Sequence, residues 1–199
     1  MTIIYLVRHG KTDLIRKMLC GNLPGIPLNE EGRNQAAKTG AYLSTLPIKA
    51  IYSSPIQRAL ETAGIIGKAT GLEVISVDFL REIHFGDLQG MEFPCINSHP
   101  IWQRYTTLPA YVSFPNGESV VEVQKRVSEG LDWIADQYSE NDEIVCVAHS
   151  DVLRLAISRA LDLPLDNFHR LSISPASVSK LEWAPDRKRL RLLNFQPID

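Results

Sequence analysis

Two histidines stand where a short apolar run gives way to a polar loop. Residues 3–7 lead into Arg8-His9-Gly10-Lys11-Thr12, and residues 143–148 lead into His149-Ser150-Asp151. Such runs predict strands covered on both faces. In an open α/β sheet, ligands gather beyond the carboxyl ends of the strands. A single histidine at a strand end is most often a hydrogen-bonded structural residue. Two at equivalent positions point to a shared site, because imidazole changes charge near neutral pH and serves as nucleophile, acid, base or metal ligand.

Two more residues fit such a site. Arg58, within Ser53-Ser54-Pro55-Ile56-Gln57-Arg58-Ala59-Leu60-Glu61-Thr62, falls in the first turn of an expected helix, where a cation opposes the helix dipole. A bound anion would account for it; the alternative is an ion pair with Glu61, three residues on. Glu82, within Arg81-Glu82-Ile83-His84-Phe85-Gly86, has apolar neighbours that would raise its pKa toward that of an acid working near neutral pH. The alternative for Glu82 is an ordinary surface charge.

The elements that must position these residues are legible in the pattern. Strands are expected at 3–7, 50–53, 73–77 and 143–148, alternating with segments of helical period. One helix runs from a Ser54 cap with Pro55 in its first turn through about Lys68, with Gly71 as the residue that ends it. Others run from Asn29 to Leu46 and from an Asp151 cap to Leu161. A capping box of Ser119 and Glu122 opens a helix with Val120, Val123, Val127, Leu131, Ile134 and Tyr138 on one face. Near the end, 178–183 and 190–195 flank Pro185-Asp186-Arg187 as a hairpin. The expected fold is an α/β, three-layer αβα sandwich with a mostly parallel central sheet and an antiparallel edge strand. It is read as one domain over residues 1–199.

Residues 84–117 are the exception. They show no clear period and hold four of the 12 prolines and six of the 15 aromatic residues in 34 positions. They are read as an insertion covering the substrate, with aromatics against an organic leaving group; the alternative is a hydrophobic cluster under a long loop. His99 and His169 have no evident partner and are left as structural or surface residues.

Composition removes whole classes. The chain has 199 residues, 44% hydrophobic and 22% charged, enough for a substantial core and unlike a disordered chain. A net charge of −2 provides no global field for nucleic acid or a membrane surface, so any attraction for an anion is local. Cys20, Cys95 and Cys146 lack metal-ligand spacing and fit a reducing compartment, with Cys146 a small core residue. The apolar run before Arg8 is too short for a signal peptide or a membrane span. A soluble, cytoplasmic protein is expected. The oligomeric state stays open, a homodimer included.

Taken together, Arg8-His9-Gly10, the 54–62 segment, Glu82 with Phe85-Gly86, Pro115-Asn116-Gly117-Glu118-Ser119 and His149-Ser150 resemble the histidine phosphatase superfamily, the phosphoglycerate-mutase-like proteins. The likeness spans nearly the whole chain, in order. It implies that His9 is the phosphorylated nucleophile, Glu82 the proton donor, and Arg8, Arg58 and His149 the phosphate clamp. The chemistry is compatible with those roles. Phosphoryl transfer needs positioning and cations around the equatorial oxygens, two arginine forks supply both, and a protonated His149 would add a third positive donor. No metal and no cofactor are then needed.

The sequence departs from the family's pattern in the first loop. Lys11 stands where Glu or Gln is common, Ile15 where Asn is frequent, and the spacing over residues 21–28 is altered. Asn22 is a candidate for a polar contact to phosphate, and Lys11, with Arg16 and Lys17, for a cationic rim around a small phosphorylated substrate that carries a second anionic group; the alternative for these cations is solvated surface charge. The resulting expectation is a metal-independent phosphomonoesterase. A phosphomutase using the same phosphohistidine is the nearest alternative, disfavoured because mutases of this kind usually carry longer insertions. A silent phospho-ligand binding module is a second alternative, and a metal hydrolase built on His9, Glu82 and His149 a third. The last is disfavoured because Arg8 and Arg58 would repel the cation.

Overall fold

In a computed structural model describing residues 1–197, six strands form one sheet in the order β3-β2-β4-β1-β5-β6. The strands are β1 (Thr2–Arg8), β2 (Ile48–Ser53), β3 (Val74–Ser76), β4 (Glu143–Ala148), β5 (Val178–Ala184) and β6 (Arg187–Phe195). The four strands β3, β2, β4 and β1 run parallel. β5 pairs antiparallel with β1, and β6 with β5. The expected hairpin forms the antiparallel edge of the sheet, β5 joining β1 and β6 lying outermost on β5.

Alternation along the central strands divides the core. Ile4 and Leu6 of β1, with Ile144, Cys146 and Ala148 of β4, face one layer. Tyr5, Val7, Val145 and Val147 face the other. Both β1 and β4 are apolar on each face because each face is covered. Helices α1 (Glu30–Leu43) and α2 (Gln57–Thr70) cover the second face through Leu43, Ala59, Ala63 and Ile66. Helices α5 (Val120–Gln137) and α6 (Ser150–Ala160) cover the first through Val123, Val127, Leu131, Leu153 and Ile157. The Ser119–Glu122 capping box forms, and the stripe Val120, Val123, Val127, Leu131 and Ile134 is buried.

Helix starts are where expectation and structure part. Asn29 caps α1, but the helix ends at Leu43. Ser54 is not a helix cap: α2 begins at Gln57 after Ile56, and closes on Gly71 in the left-handed conformation. Asp151 lies inside α6, whose cap position is His149. Residues 84–117 are not structureless. They contain α3 (Phe93–Ile96), α4 (Pro100–Thr107) and two 3-10 turns, pieces too short to show a helical period. Their aromatics mostly build core: Phe85, Tyr105 and Phe114 are buried and meet one another edge to face at 5.0–5.9 Å. Tyr111 is exposed. His99 caps α4 by accepting from the Ile101 N–H, and His169 Nε2 lies 2.9 Å from the Tyr105 carbonyl oxygen. Among the described residues, no helix is long and apolar enough to cross a membrane.

Candidate active site

Three adjacent strands deliver the heart of the site. β2, β4 and β1 end side by side, with Ser53 opposite Val147 and Arg8 opposite Ala148. The next residues are Ser54, His149 and His9. The backbone continues the pairing one step further: Ser54 N–H donates to Val147 O and His9 N–H to Ala148 O, each at 2.9 Å. The two imidazole centroids consequently lie 5.2 Å apart.

His9 is buried and oriented. Its Nδ1 lies 2.8 Å from the Gly10 carbonyl oxygen, a contact that requires the proton on Nδ1 and leaves a lone pair on Nε2. Arg58 Nε–H donates to that Nε2 at 3.3 Å. Burial, then Arg58 and Arg8, push the His9 pKa well below the usual imidazole value, so the ring is neutral. The Gly10 N–H is taken by Thr62 Oγ1 at 3.0 Å, which ties the His9 loop to α2.

Arg58 does not pair with Glu61. It is buried, and its Nη2 donates to Gly21 O at 2.6 Å, while Glu61 accepts from Leu28 N–H and Gln57 Nε2. Arg8 Nη1 donates to Ile173 O at 2.7 Å. Burial lowers the Arg8 pKa to about 10, which keeps it charged at neutral pH. Six buried side-chain polar atoms among the described residues have no hydrogen-bond partner, and four of them are Arg8 Nε, Arg58 Nη1, His149 Nδ1 and Asn22 Oδ1. Such atoms are rare in folded proteins. Two cationic N–H groups held this way beside a neutral imidazole are suited to a phosphate-like oxyanion.

His149 stands beside His9 at the neighbouring strand end. It is fully buried, with Nε2 2.8 Å from Ser54 Oγ. Burial, then Arg58, His9 and Arg8, push its pKa well below the ordinary value. In this structure it is a neutral hydrogen-bonding group, and the positive charge is carried by Arg8 and Arg58. Ser54 was missed as a site residue because Ser-Pro before a helix reads as a cap.

Glu82 is buried and accepts from the Ile83 N–H at 3.0 Å. Burial, then the Asp151 carboxylate, raise its pKa to about 7, against the opposing pull of Arg58 and Arg8. Asp151 in turn accepts from Tyr105 Oη and Arg154 Nη1, each at 2.8 Å. Of the candidates in the first loop, Asn22 follows the Gly21 that holds Arg58, and lines a groove of about 600 Å3 with Phe79, Arg81, His84 and Arg126. Lys11 is not drawn into the cluster: its ammonium pairs with Glu31 at the start of α1. Among the described residues, no group of three or more His, Cys, Asp or Glu side chains is arranged to hold a metal ion.

Paired histidines at neighbouring strand ends, a buried Arg58, a half-buried Arg8 and a buried carboxyl group with a raised pKa make a site suited to an oxyanion within an α/β fold. The model of the histidine phosphatase superfamily (branch 1) matches residues 4–196, and the chain belongs to that superfamily. It is 30% identical to a Bacillus subtilis protein described as uncharacterized phosphatase PhoE, over 98% of this chain and 95% of that one. It is 33% identical to a 2,3-bisphosphoglycerate-dependent phosphoglycerate mutase of Thermoplasma acidophilum, over 92% and 88% of the two chains. Among solved structures, mycobacterial glucosyl-3-phosphoglycerate phosphatase superposes with a TM-score of 0.86 at 28% identity, over 97% of this chain and 98% of that one.

Proposed function

We propose that this protein is a metal-independent phosphomonoesterase that hydrolyses a small phosphorylated metabolite through a phosphohistidine on His9. The observation that carries this reading is the Nδ1 contact to Gly10 O, which leaves a neutral His9 with a free electron pair on Nε2, beside two arginines. That lone pair forms a P–N bond as the P–O ester bond breaks. Arg8 and Arg58 hold the equatorial oxygens, and His149 donates a hydrogen bond to the same group. Glu82, whose pKa of about 7 keeps a substantial fraction protonated at neutral pH, gives its proton to the departing alkoxide.

In the second half-reaction the Glu82 carboxylate takes a proton from water. The resulting hydroxide displaces the P–N bond, and the electron pair returns to His9 as inorganic phosphate leaves. One carboxyl group thus serves both halves. Residues 84–117 form the cover over the leaving group, within a single domain. The phosphatase relatives favour water as the acceptor.

The test is a panel of phosphate monoesters assayed in EDTA, with trapping of acid-labile phosphate on the protein. Turnover undiminished by EDTA, and a phosphoryl group present on wild type but absent from His9→Ala, are expected. Activity lost in EDTA and restored by zinc or manganese sinks the mechanism. Rapid isomerisation of 3-phosphoglycerate without phosphate release would make the protein a mutase.

A further inference from the structure

Glu82 sits on a loop outside the sheet, so something other than strand pairing must fix it. The residues that do so are Arg126, in α5, and Glu118, just before that helix. The Arg126 guanidinium spends all five of its N–H donors there. Nε donates to Glu118 Oε1 at 2.7 Å. Nη1 donates to the carbonyls of Phe79 at 2.9 Å and Arg81 at 3.0 Å. Nη2 donates to the carbonyl of Glu82 itself at 3.1 Å and to Glu118 Oε2 at 2.9 Å.

Glu118 completes the clamp from the other side. Its Oε2 accepts from the His84 N–H at 2.9 Å, and its own N–H donates to the His84 carbonyl at 2.9 Å. The two loops interlock so closely that a Cβ on Gly86 would collide with the Pro115 carbonyl, and one on Gly117 with the His84 carbonyl. The Glu118 carboxylate lies below its usual pKa range through Arg126 and the His84 N–H, despite partial burial, so the pair stays ionised at neutral pH.

We infer that Arg126 and Glu118 are positioning residues for proton donation, setting where the Glu82 carboxyl group stands relative to the leaving oxygen. The inference rests on the proposed role of Glu82 as the acid. Neither residue needs to touch substrate. Five donors to five acceptor sites cannot be reproduced by lysine, which carries three donors and no planar fork. Loosening the clamp should therefore matter only where a leaving group needs its proton.

The experiment compares wild type, Arg126→Lys, Glu118→Gln, Glu82→Gln and the Glu82→Gln/Arg126→Lys double variant on p-nitrophenyl phosphate and on an alkyl phosphate, with vanadate inhibition as a readout of the phosphate site. Arg126→Lys is expected to lower kcat on the alkyl ester by about 10- to 100-fold, a partial loss of the roughly 100- to 10,000-fold that general acid catalysis supplies, while p-nitrophenyl phosphate and vanadate change by less than about 3-fold. Added to Glu82→Gln, it should cost little more, because the group it positions is already gone. Glu118→Gln should show the same selectivity more weakly.

Equal losses on both esters, weakened vanadate binding or full additivity in the double variant would overturn the inference while a leaving-group-dependent Glu82→Gln leaves the acid assignment standing. If Glu82→Gln itself shows no leaving-group dependence, the acid assignment falls and this inference with it. Should Arg126→Lys fail to fold, Glu118→Gln alone decides by the same criterion.

Discussion

Arg58 and His9 meet through their nitrogens, Nε of the arginine donating to Nε2 of the histidine at 3.3 Å. The acceptor is the atom proposed to attack phosphorus, so the arginine holds the lone pair in place before reaction. It must pass its hydrogen bond to the phosphoryl group as reaction proceeds. The long distance suits that exchange, since a shorter bond would be harder to give up.

Arg58→Lys is expected to reduce kcat/KM by about 100-fold or more on every phosphate ester, as removal of a preorganised donor does. A lysine cannot reach Gly21 O and His9 Nε2 together from one planar group. Steady-state kinetics on esters of differing leaving group would check it. Unlike the Arg126 variant, the loss should be uniform across leaving groups.

The pH profile follows from Glu82. As the proton donor it must be protonated, so the rate of phosphoryl transfer should fall as pH rises through about 7. The Asp151 charge disfavours ionised Glu82, so Asp151→Asn should lower the Glu82 pKa and move this alkaline limb to lower pH. Single-turnover rates on an alkyl ester between pH 5 and 9 would show it. A limb that stays in place or moves upward contradicts the prediction.

The same shift has a stability signature. A carboxyl group whose pKa is higher folded than unfolded contributes stability that is fully present below the unfolded value and lost as pH rises through the folded one. As pH rises from the ordinary carboxyl value of 4.5 to about 7, Glu82 therefore costs the protein stability, with a ceiling of about 3 kcal/mol. Glu82→Gln should raise Tm relative to wild type at pH 8 more than at pH 5, measured by thermal melts at matched ionic strength.

Ser54 supports His149 and accepts from the Ile56 N–H at 3.3 Å. Ser54→Ala would strand a buried imidazole nitrogen and a backbone N–H together. A loss of roughly 1–3 kcal/mol is expected in urea unfolding, with a drop in kcat because His149 loses its fixed orientation.

The sheet and the sites at its edge were legible because they depend on local pattern. Apolar runs ending in His9 and His149 predict strands ending in polar loops, and adjacency of β1 and β4 then brings the histidines together. Ser54 and Asp151 were legible as types but not as roles: each stands before or within a helix start, where side-chain oxygens normally cap. Arg126 left no signal. An arginine on the polar face of an amphipathic helix reads as solvated, and only the path of residues 79–84 beside it reveals five acceptors. Residues 84–117 defeated the periodicity argument because four- and eight-residue helices complete too few turns.

The contact between His9 Nδ1 and the Gly10 carbonyl also has a stereochemical consequence. An imidazole fixed at one nitrogen, in a residue whose own N–H bonds to Ala148 O, cannot swing its phosphoryl group to a second face. Water must then enter along the line by which the alcohol departed. Each in-line displacement inverts phosphorus, and two inversions on one immobile nitrogen restore the original hand. A chiral phosphate ester should yield product with net retention of configuration, whereas direct attack by water would give inversion.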